Sequence, residues 1–384
     1  MDLSFTPAEE AFREEARTWL AENVPAEPLE SMDTPHGFEE HRAWEHILFD
    51  AGWAVVSWPE RYGGREASLV EWLIFEEEYW ASGAPGRVSS NGVSLLAPTI
   101  FDFGTPEQQD RFLRPMARGD EVWAQGWSEP DAGSDLAGIK TKAPRDGEHF
   151  VIDGQKTWCS RGAFADWFFC LVRTDPDSER HAGLSYLLVP GDTEGLEARA
   201  IGRLDGEPGF AELFFDGARV HERYLLGGEG EGWAVAMATT GSERGLNLRA
   251  PGRFMAAADR LVGLYKELAD SRGPDMDRRD QVVSAWMGAQ AYRWQTYATE
   301  SRLRGGAPIG SEASFMKVLW SELDVELHAT ALRLLGRDGE RADSSWMDGY
   351  VFALSGPIYA GTNEIQRNII SERVLGLPRH TTRR

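Results

Sequence analysis

Cysteine is nearly missing from this chain of 384 residues: Cys159 and Cys170 are the only two. They provide no disulfide framework and no spaced thiol and imidazole set for structural zinc, so a reducing compartment is expected. Basic residues are also outnumbered. Forty Lys and Arg face 62 Asp and Glu, a formal charge of −22, and such a surface repels nucleic acid and anionic membranes at long range. No apolar run reaches the ~18 residues needed to cross a bilayer. The N-terminus, "MDLSFTPAEEAFREEARTWL", lacks a basic segment followed by an apolar core, so a cytoplasmic protein without membrane attachment is expected. No Gly-x-Gly-x-x-Gly follows a strand signal and no Gly-Lys-Ser/Thr loop occurs, which disfavours nicotinamide and ATP enzymes. His36, His41 and His46 are spaced by five and share no helical face, so they read as surface or packing residues and no metal is expected.

The 42% hydrophobic content supports an ample core. Thr6-Pro7-Ala8-Glu9 is a capping box with proline at the first helical position, and Phe12, Ala16, Trp19 and Leu20 continue on one face. Helical patterns recur from about 38 to 51 and from 68 to 81, and Thr105 to Gln108 repeats the capping logic. After Trp123 come short β-rich runs, "HFVID", "DWFFCLVRT", "GLSYLLVP", "EARAIGRL" and "AELFFDGARV", with turn signals at Asp146-Gly147 and Asp153-Gly154. With no helices between them, they predict a compact antiparallel sheet or barrel. From "GEGEGW" onward helical periodicity returns, and stretches at 254–271, 282–303 and 311–335 predict a bundle. The expected architecture is α+β: a helical domain at 1–121, a β domain at 122–226 and a helical domain at 227–384.

Two segments concentrate polar turn chemistry. "GWSEPDAGSDLAGIKTKA" (126–143) forms a turn-rich loop whose backbone N–H groups can converge on a flat or anionic ligand, though such a loop is often only a connection. "GQKTWCSRG" (154–162) places an aromatic and a hydroxyl at a strand end, and taken alone Trp158 reads as a core tryptophan. These segments, with "GEGEGW", "EASFMK" and "GTNEIQRNIISERVLGLP" in this order, resemble the acyl-CoA dehydrogenases over essentially the whole chain. The resemblance implies an all-α N-terminal domain, a central β domain and a C-terminal four-helix bundle holding FAD and a coenzyme A thioester. It implies removal of the α and β hydrogens of the acyl chain, with electrons passed to an electron-transfer flavoprotein. It also places Gln125, Trp127, Ser128, Gly133, Ser134, Trp158, Cys159, Ser160, Thr362 and Glu364 at the flavin. Asn363 and Gln366 have capping-box spacing, and Asn363 reads as a helix cap.

In much of the family the residue before Gly-Thr is the carboxylate base, whereas here it is Ala360. The family's backbone N–H donor to the thioester carbonyl survives at Ala360 whatever the side chain. A subset of the family carries its base in a Glu-Arg pair on another helix, and "TTGSERGLNLRAPGRF" has Glu243-Arg244 at that place. Glu243 is therefore the expected base and Arg244 an orienting partner; an apolar flavin-lined pocket would raise the carboxyl pKa toward neutrality. Glu364 and Asp348 are weaker alternatives. The missing side chain at Ala360 is also expected to leave room for a branched or bulky acyl group.

The family's Arg-x-x-Phe-Gly stretch, which reaches a neighbouring subunit's FAD, is replaced by "SRGPDMDRRD". Arg272 keeps the charge without the aromatic. The pattern resembles the actinobacterial β-oxidation branch, which includes heteromeric enzymes, so a homo- or heterotetramer or a dimer is expected. Two alternatives stay open at this point: a half-site or non-catalytic subunit of a heteromeric dehydrogenase, and a flavin monooxygenase on the same scaffold.

Overall fold

The computed structural model describes residues 4–244, 250–306, 310, 312–341 and 344–379. In chain order the helices are α1 (Pro7–Asn23), α2 (Pro35–Asp50), α3 (Leu69–Ala81), α4 (Ala97–Phe103) and α5 (Pro106–Arg118), followed beyond the strands by α6 (Gly232–Arg244), α7 (Gly252–Arg272), α8 (Met276–Arg304), α9 (Glu312–Leu335), α10 (Ser345–Ala353) and α11 (Asn363–Ile369). The strands between them are β1 (Trp123–Gly126), β2 (Arg145–Asp146), β3 (His149–Ser160), β4 (Trp167–Arg173), β5 (Leu184–Pro190), β6 (Leu196–Ile201), β7 (Phe210–His221) and β8 (Leu225–Leu226). Among the described residues no helix is long and apolar enough to cross a membrane.

Local chemistry explains the early helix starts. Thr6, Ser68 and Thr105 each accept the N–H three residues on, while Glu9, Glu71 and Gln108 reach back to the cap N–H, completing three capping boxes. Each cap stabilises its helix by about 1 kcal/mol. Helix α2 starts earlier than its apolar pattern indicates, because Thr34 caps Gly37 N–H at 3.1 Å and Pro35 occupies the first turn. The π-helical turn Gly92–Leu96 and α4 have no side-chain cap, and Pro98 in the first turn of α4 is the local start signal there.

The chain forms two compact units. One comprises Pro25–Ala67 and Pro85–Glu243. Its strands form two four-stranded sheets, β1-β4-β5-β8 and β2-β3-β7-β6. Their inner faces meet over Phe150, Ile152, Phe168, Cys170, Leu187 and Leu213. The expectation of an antiparallel sheet needs one correction: β1 pairs parallel to β4, Trp123 opposite Trp167. Strand β1 enters from α5 and leaves into a long loop rather than a hairpin, so no turn forces it antiparallel. A second correction concerns Asp153-Gly154, which is not a turn. Gly154, with φ +146°, is an irregularity inside the long strand β3, where the register to β7 shifts between Ile152 and Gly154. A Cβ there would lie 2.7 Å from Thr141 Oγ1.

The other unit comprises Met1–Val24, Ser68–Ala84 and Arg244–Arg384. Helices α7, α8, α9 and α10 enclose a core around Phe254, Leu261, Tyr292, Trp320, Leu327 and Trp346. Helices α1 and α3 join this bundle through charge. Glu77 accepts from Arg293 Nη2 at 3.0 Å and from the Tyr297 hydroxyl at 3.2 Å, and Glu78 accepts from Arg13 at 2.8 Å and Arg17 Nε at 3.0 Å.

Candidate functional site

In the strand-containing unit, Gln125 lies half-buried on β1, and Trp127 and Ser128 open the loop that follows. The Ser128 carbonyl accepts Thr157 N–H at 2.8 Å, which joins this loop to the end of β3. There the register to β7 shifts between Lys156 and Cys159, so one extra residue must leave the pleat. That residue is Trp158. Its φ is +61° and its side chain is 61% exposed, edge-on to Phe210 at 5.9 Å. The core reading of Trp158 is thereby overturned, because a bulge points outward a side chain that strict alternation would have buried. Cys159, next in line, faces the core, and burial pushes its thiol pKa up, so only its backbone is available to a ligand. Ser160 is half-buried, and Gly133 and Ser134 are exposed.

The residues that shape this face were not singled out from sequence. Lys156, fully buried on β3, donates to Trp127 O at 3.2 Å, to Leu171 O at 2.6 Å and to Glu129 Oε1 at 2.8 Å. Glu129 also accepts the N–H of Lys140 at 2.6 Å and of Thr141 at 2.9 Å. The Glu129 carboxylate thus closes the loop 129–141 and the Lys156 ammonium anchors its start, while Arg173 holds Ile139 O at 3.3 Å farther along. Burial pushes the Glu129 carboxyl up, but Lys156 and the donors from Thr141 and Lys140 outweigh it and hold the group below its ordinary range, while burial pushes the Lys156 ammonium down against the pull of Glu129. A lysine inside an apolar strand next to a glutamate in a polar turn was the available signal; only the register shows that both point inward.

In the helical unit, Ala360 and Gly361 have φ +56° and +76°, consecutive left-handed residues before α11. Thr362 caps α11, accepting Ile365 N–H at 3.2 Å. The reading of Asn363 as the cap is therefore corrected. Asn363 is the first helical residue and is buried, its Oδ1 accepting from Lys317 Nζ at 2.8 Å and from Ser321 Oγ at 3.1 Å. Gln366 is no capping-box partner either: its Nε2 donates to Ala360 O at 2.9 Å. Glu364 is exposed on the first turn of α11. Arg272 ends α7, exposed, with its guanidinium 3.3 Å from Asp338. Glu243 and Arg244 close α6, and their side chains lie outside the described part of the structure.

The strand-containing unit fits a flat, polar-edged ring such as that of FAD on three observations. Trp158 presents an exposed indole beside a hydroxyl. Trp127 Nε1 is a buried donor without a partner among the described residues. At Gly133 no protein atom lies within 4 Å of where a Cβ would sit, so a ligand can approach the backbone there.

Comparison with known proteins matches the chain in three consecutive stretches. The acyl-CoA dehydrogenase N-terminal, middle and C-terminal domain models match residues 6–120, 124–218 and 230–375. Acyl-CoA dehydrogenase IpdE1 of Mycobacterium tuberculosis is 41% identical over 381 residues, covering 96% of this chain and 98% of that protein. Among solved structures, the Tcur3481-Tcur3483 steroid ACAD is 27% identical with a TM-score of 0.85, covering 99% of this chain and 100% of its own. The ChsE4-ChsE5 complex from Mycobacterium tuberculosis is 29% identical with a TM-score of 0.86, at the same coverage. Three domain matches in order, from residue 6 to residue 375, and a relative similar from end to end leave one conclusion: the chain belongs to the acyl-CoA dehydrogenase family, whose members are enzymes.

Proposed function

We propose that this chain is the catalytic subunit of an FAD-dependent dehydrogenase that converts a bulky acyl-CoA thioester to its trans-2-enoyl thioester and passes the electrons to an electron-transfer flavoprotein. The observation that carries the reading is the turn at Ala360, which has no carboxylate yet leaves its N–H without an acceptor among the described residues. A turn of this kind can polarise a thioester carbonyl, but it cannot remove a proton. The base must come from elsewhere, and Glu243, beside Arg244, is the carboxylate assigned to it.

FAD, when bound, supplies the acceptor for the β-hydrogen, which leaves as hydride. The residues assigned to hold it are Gln125, Trp127, Ser128, Gly133, Ser134, Trp158, the Cys159 backbone, Ser160, Thr362, Glu364 and Arg272. Glu243 takes the α-proton, and the Ala360 N–H donates to the carbonyl oxygen as negative charge develops there. The small side chain at position 360 supports a bulky acyl group, and so does the likeness to a structural neighbour named as a steroid ACAD. The coenzyme A thioester and the electron-transfer flavoprotein follow from the family resemblance.

The test is anaerobic bleaching of the flavin by octanoyl-CoA, isobutyryl-CoA and a steroid side-chain CoA thioester, for the wild type and Glu243→Gln. Wild type is expected to bleach fastest with the steroid thioester. The variant should lose about 10²–10⁴ in rate, the usual contribution of a positioned base, while keeping its flavin. Undiminished reduction in the variant would remove Glu243 from the role, and equal turnover of the three thioesters would remove the bulky acyl group.

A further inference from the structure

The turn from Pro357 to Gln366 is held by more than its own backbone. Asn363 N–H donates to Pro357 O at 2.8 Å and closes the loop on itself. Beneath it, Asn363 is fixed to α9 by Lys317 Nζ and Ser321 Oγ on its carbonyl, and its Nδ2 donates to Glu322 at 3.3 Å. Lys317 is fully buried, so its ammonium has no bulk water to fall back on; it donates to Asn363 Oδ1 with the Trp320 ring centroid 5.9 Å away. From the other side Gln366, also fully buried, donates Nε2 to Ala360 O at 2.9 Å and to Gly361 O at 3.4 Å.

The cost of this arrangement is visible in two places. Gln366 Oε1 is buried without a partner among the described residues, and Ala360 sits in a left-handed conformation that a residue with a Cβ rarely adopts. Turning the Gln366 amide over would set its oxygen against two carbonyl oxygens, so the donor is locked onto them. With both carbonyls of the turn held from below, the Ala360 and Gly361 N–H groups are left without an acceptor among the described residues. An amide kept in that state is preorganised for an incoming oxygen.

We infer that Gln366 and Lys317 are positioning residues, which lock the Ala360-Gly361 turn in its left-handed form so that the Ala360 N–H is already aimed and unpaired when a thioester carbonyl arrives. Neither touches the reacting atoms. The inference rests on the dehydrogenase reading for the identity of the incoming oxygen, but the lock itself is a property of the protein before substrate binds.

Two measurements on the FAD-loaded protein test it. Hydrogen exchange of the 357–366 segment without thioester should show protected Tyr359 and Asn363 amides in the wild type. Exchange there should accelerate at least ~10-fold in Gln366→Met and in Lys317→Met, as expected for local opening. With the thioester that reduces the wild type fastest, both variants should lose about 10- to 100-fold in kcat with KM changed less than about threefold, because orientation and not binding is lost. Unprotected wild-type amides, or variants that exchange and turn over like the wild type, would overturn the lock. Variants that lose kcat and KM in step with lost flavin would show a structural role only and would overturn it too. If one variant fails to fold, the wild-type exchange pattern and the other variant still decide. A wild type that shows the protection but is bleached by no thioester would sink the dehydrogenase reading while leaving the lock standing.

Discussion

Ala360 is the residue on which the proposed chemistry turns, and its left-handed backbone bears on that proposal as much as its missing carboxylate. A residue with a Cβ in the left-handed region costs about 1–2 kcal/mol. Glycine would remove that strain but would add unfolded-state entropy worth about 0.4–1 kcal/mol. Ala360→Gly is therefore expected to stabilise the protein by roughly 0–1.6 kcal/mol and not to destabilise it, as read from the urea midpoint. Measurable destabilisation would mean that the Ala360 methyl makes a packing contact worth more than the strain. The absent carboxylate was legible from the sequence because it is a matter of identity at a motif position. The left-handed turn was only half legible. Gly361 hinted at it, but nothing local says that an alanine precedes it in the same conformation, since that is imposed by Gln366 and the closed loop. Trp158 shows the same limit: its outward direction follows from a bulge against β7, a partner some fifty residues away in the chain.

Among the elements, the loop 129–141 and strand β3 share one buried ion pair, Lys156 with Glu129, beside the Arg173 guanidinium that donates to Ile139 O at 3.3 Å. Lys156→Met would leave the Glu129 carboxylate buried without its cation, and breaking such a pair costs about 3–5 kcal/mol. The double change Lys156→Met with Glu129→Gln should recover much of that loss in urea denaturation; no recovery would place the effect in packing. The pair also carries a pH signature. The Glu129 carboxyl is held below its ordinary value in the folded state, so its contribution is complete above the unfolded pKa of about 4.3 and is lost as pH falls through the lower, folded value. Stability measured from pH 6 down to pH 3 should fall less steeply in Glu129→Gln than in the wild type, and parallel curves would contradict the assignment. Helix starts such as Thr6, Ser68 and Thr105 were readable because a cap and its partner lie three residues apart. The parallel pairing of β1 with β4 was not, since no short-range signal specifies a partner forty residues on.

For the whole molecule, the number of chains that make one flavin site is the property to measure. The stretch at 271–280 lacks the aromatic and glycine of the family's cross-subunit contact. The catalytic-subunit reading expects about one FAD per polypeptide in the chain expressed alone; flavin near zero, restored only in a mixed oligomer by co-expression with a second, related chain, would mean that the chain completes another subunit's site. Flavin released and counted against protein, with native mass spectrometry, decides this. One FAD per chain in the isolated protein would mean that the site is complete without a different partner. The sequence by itself determined the family, the alternation of helical and β segments, and the loss of a carboxylate at position 360, because these are carried by residue identity and by spacings of two to four along the chain. The tertiary structure alone decided that Trp158 is exposed, that Lys156 and Glu129 clamp one loop, and that Lys317 and Gln366 grip the turn at Ala360. These depend on registers and burials set by residues far apart in the chain, where the cost of an unpaired buried group selects the partner.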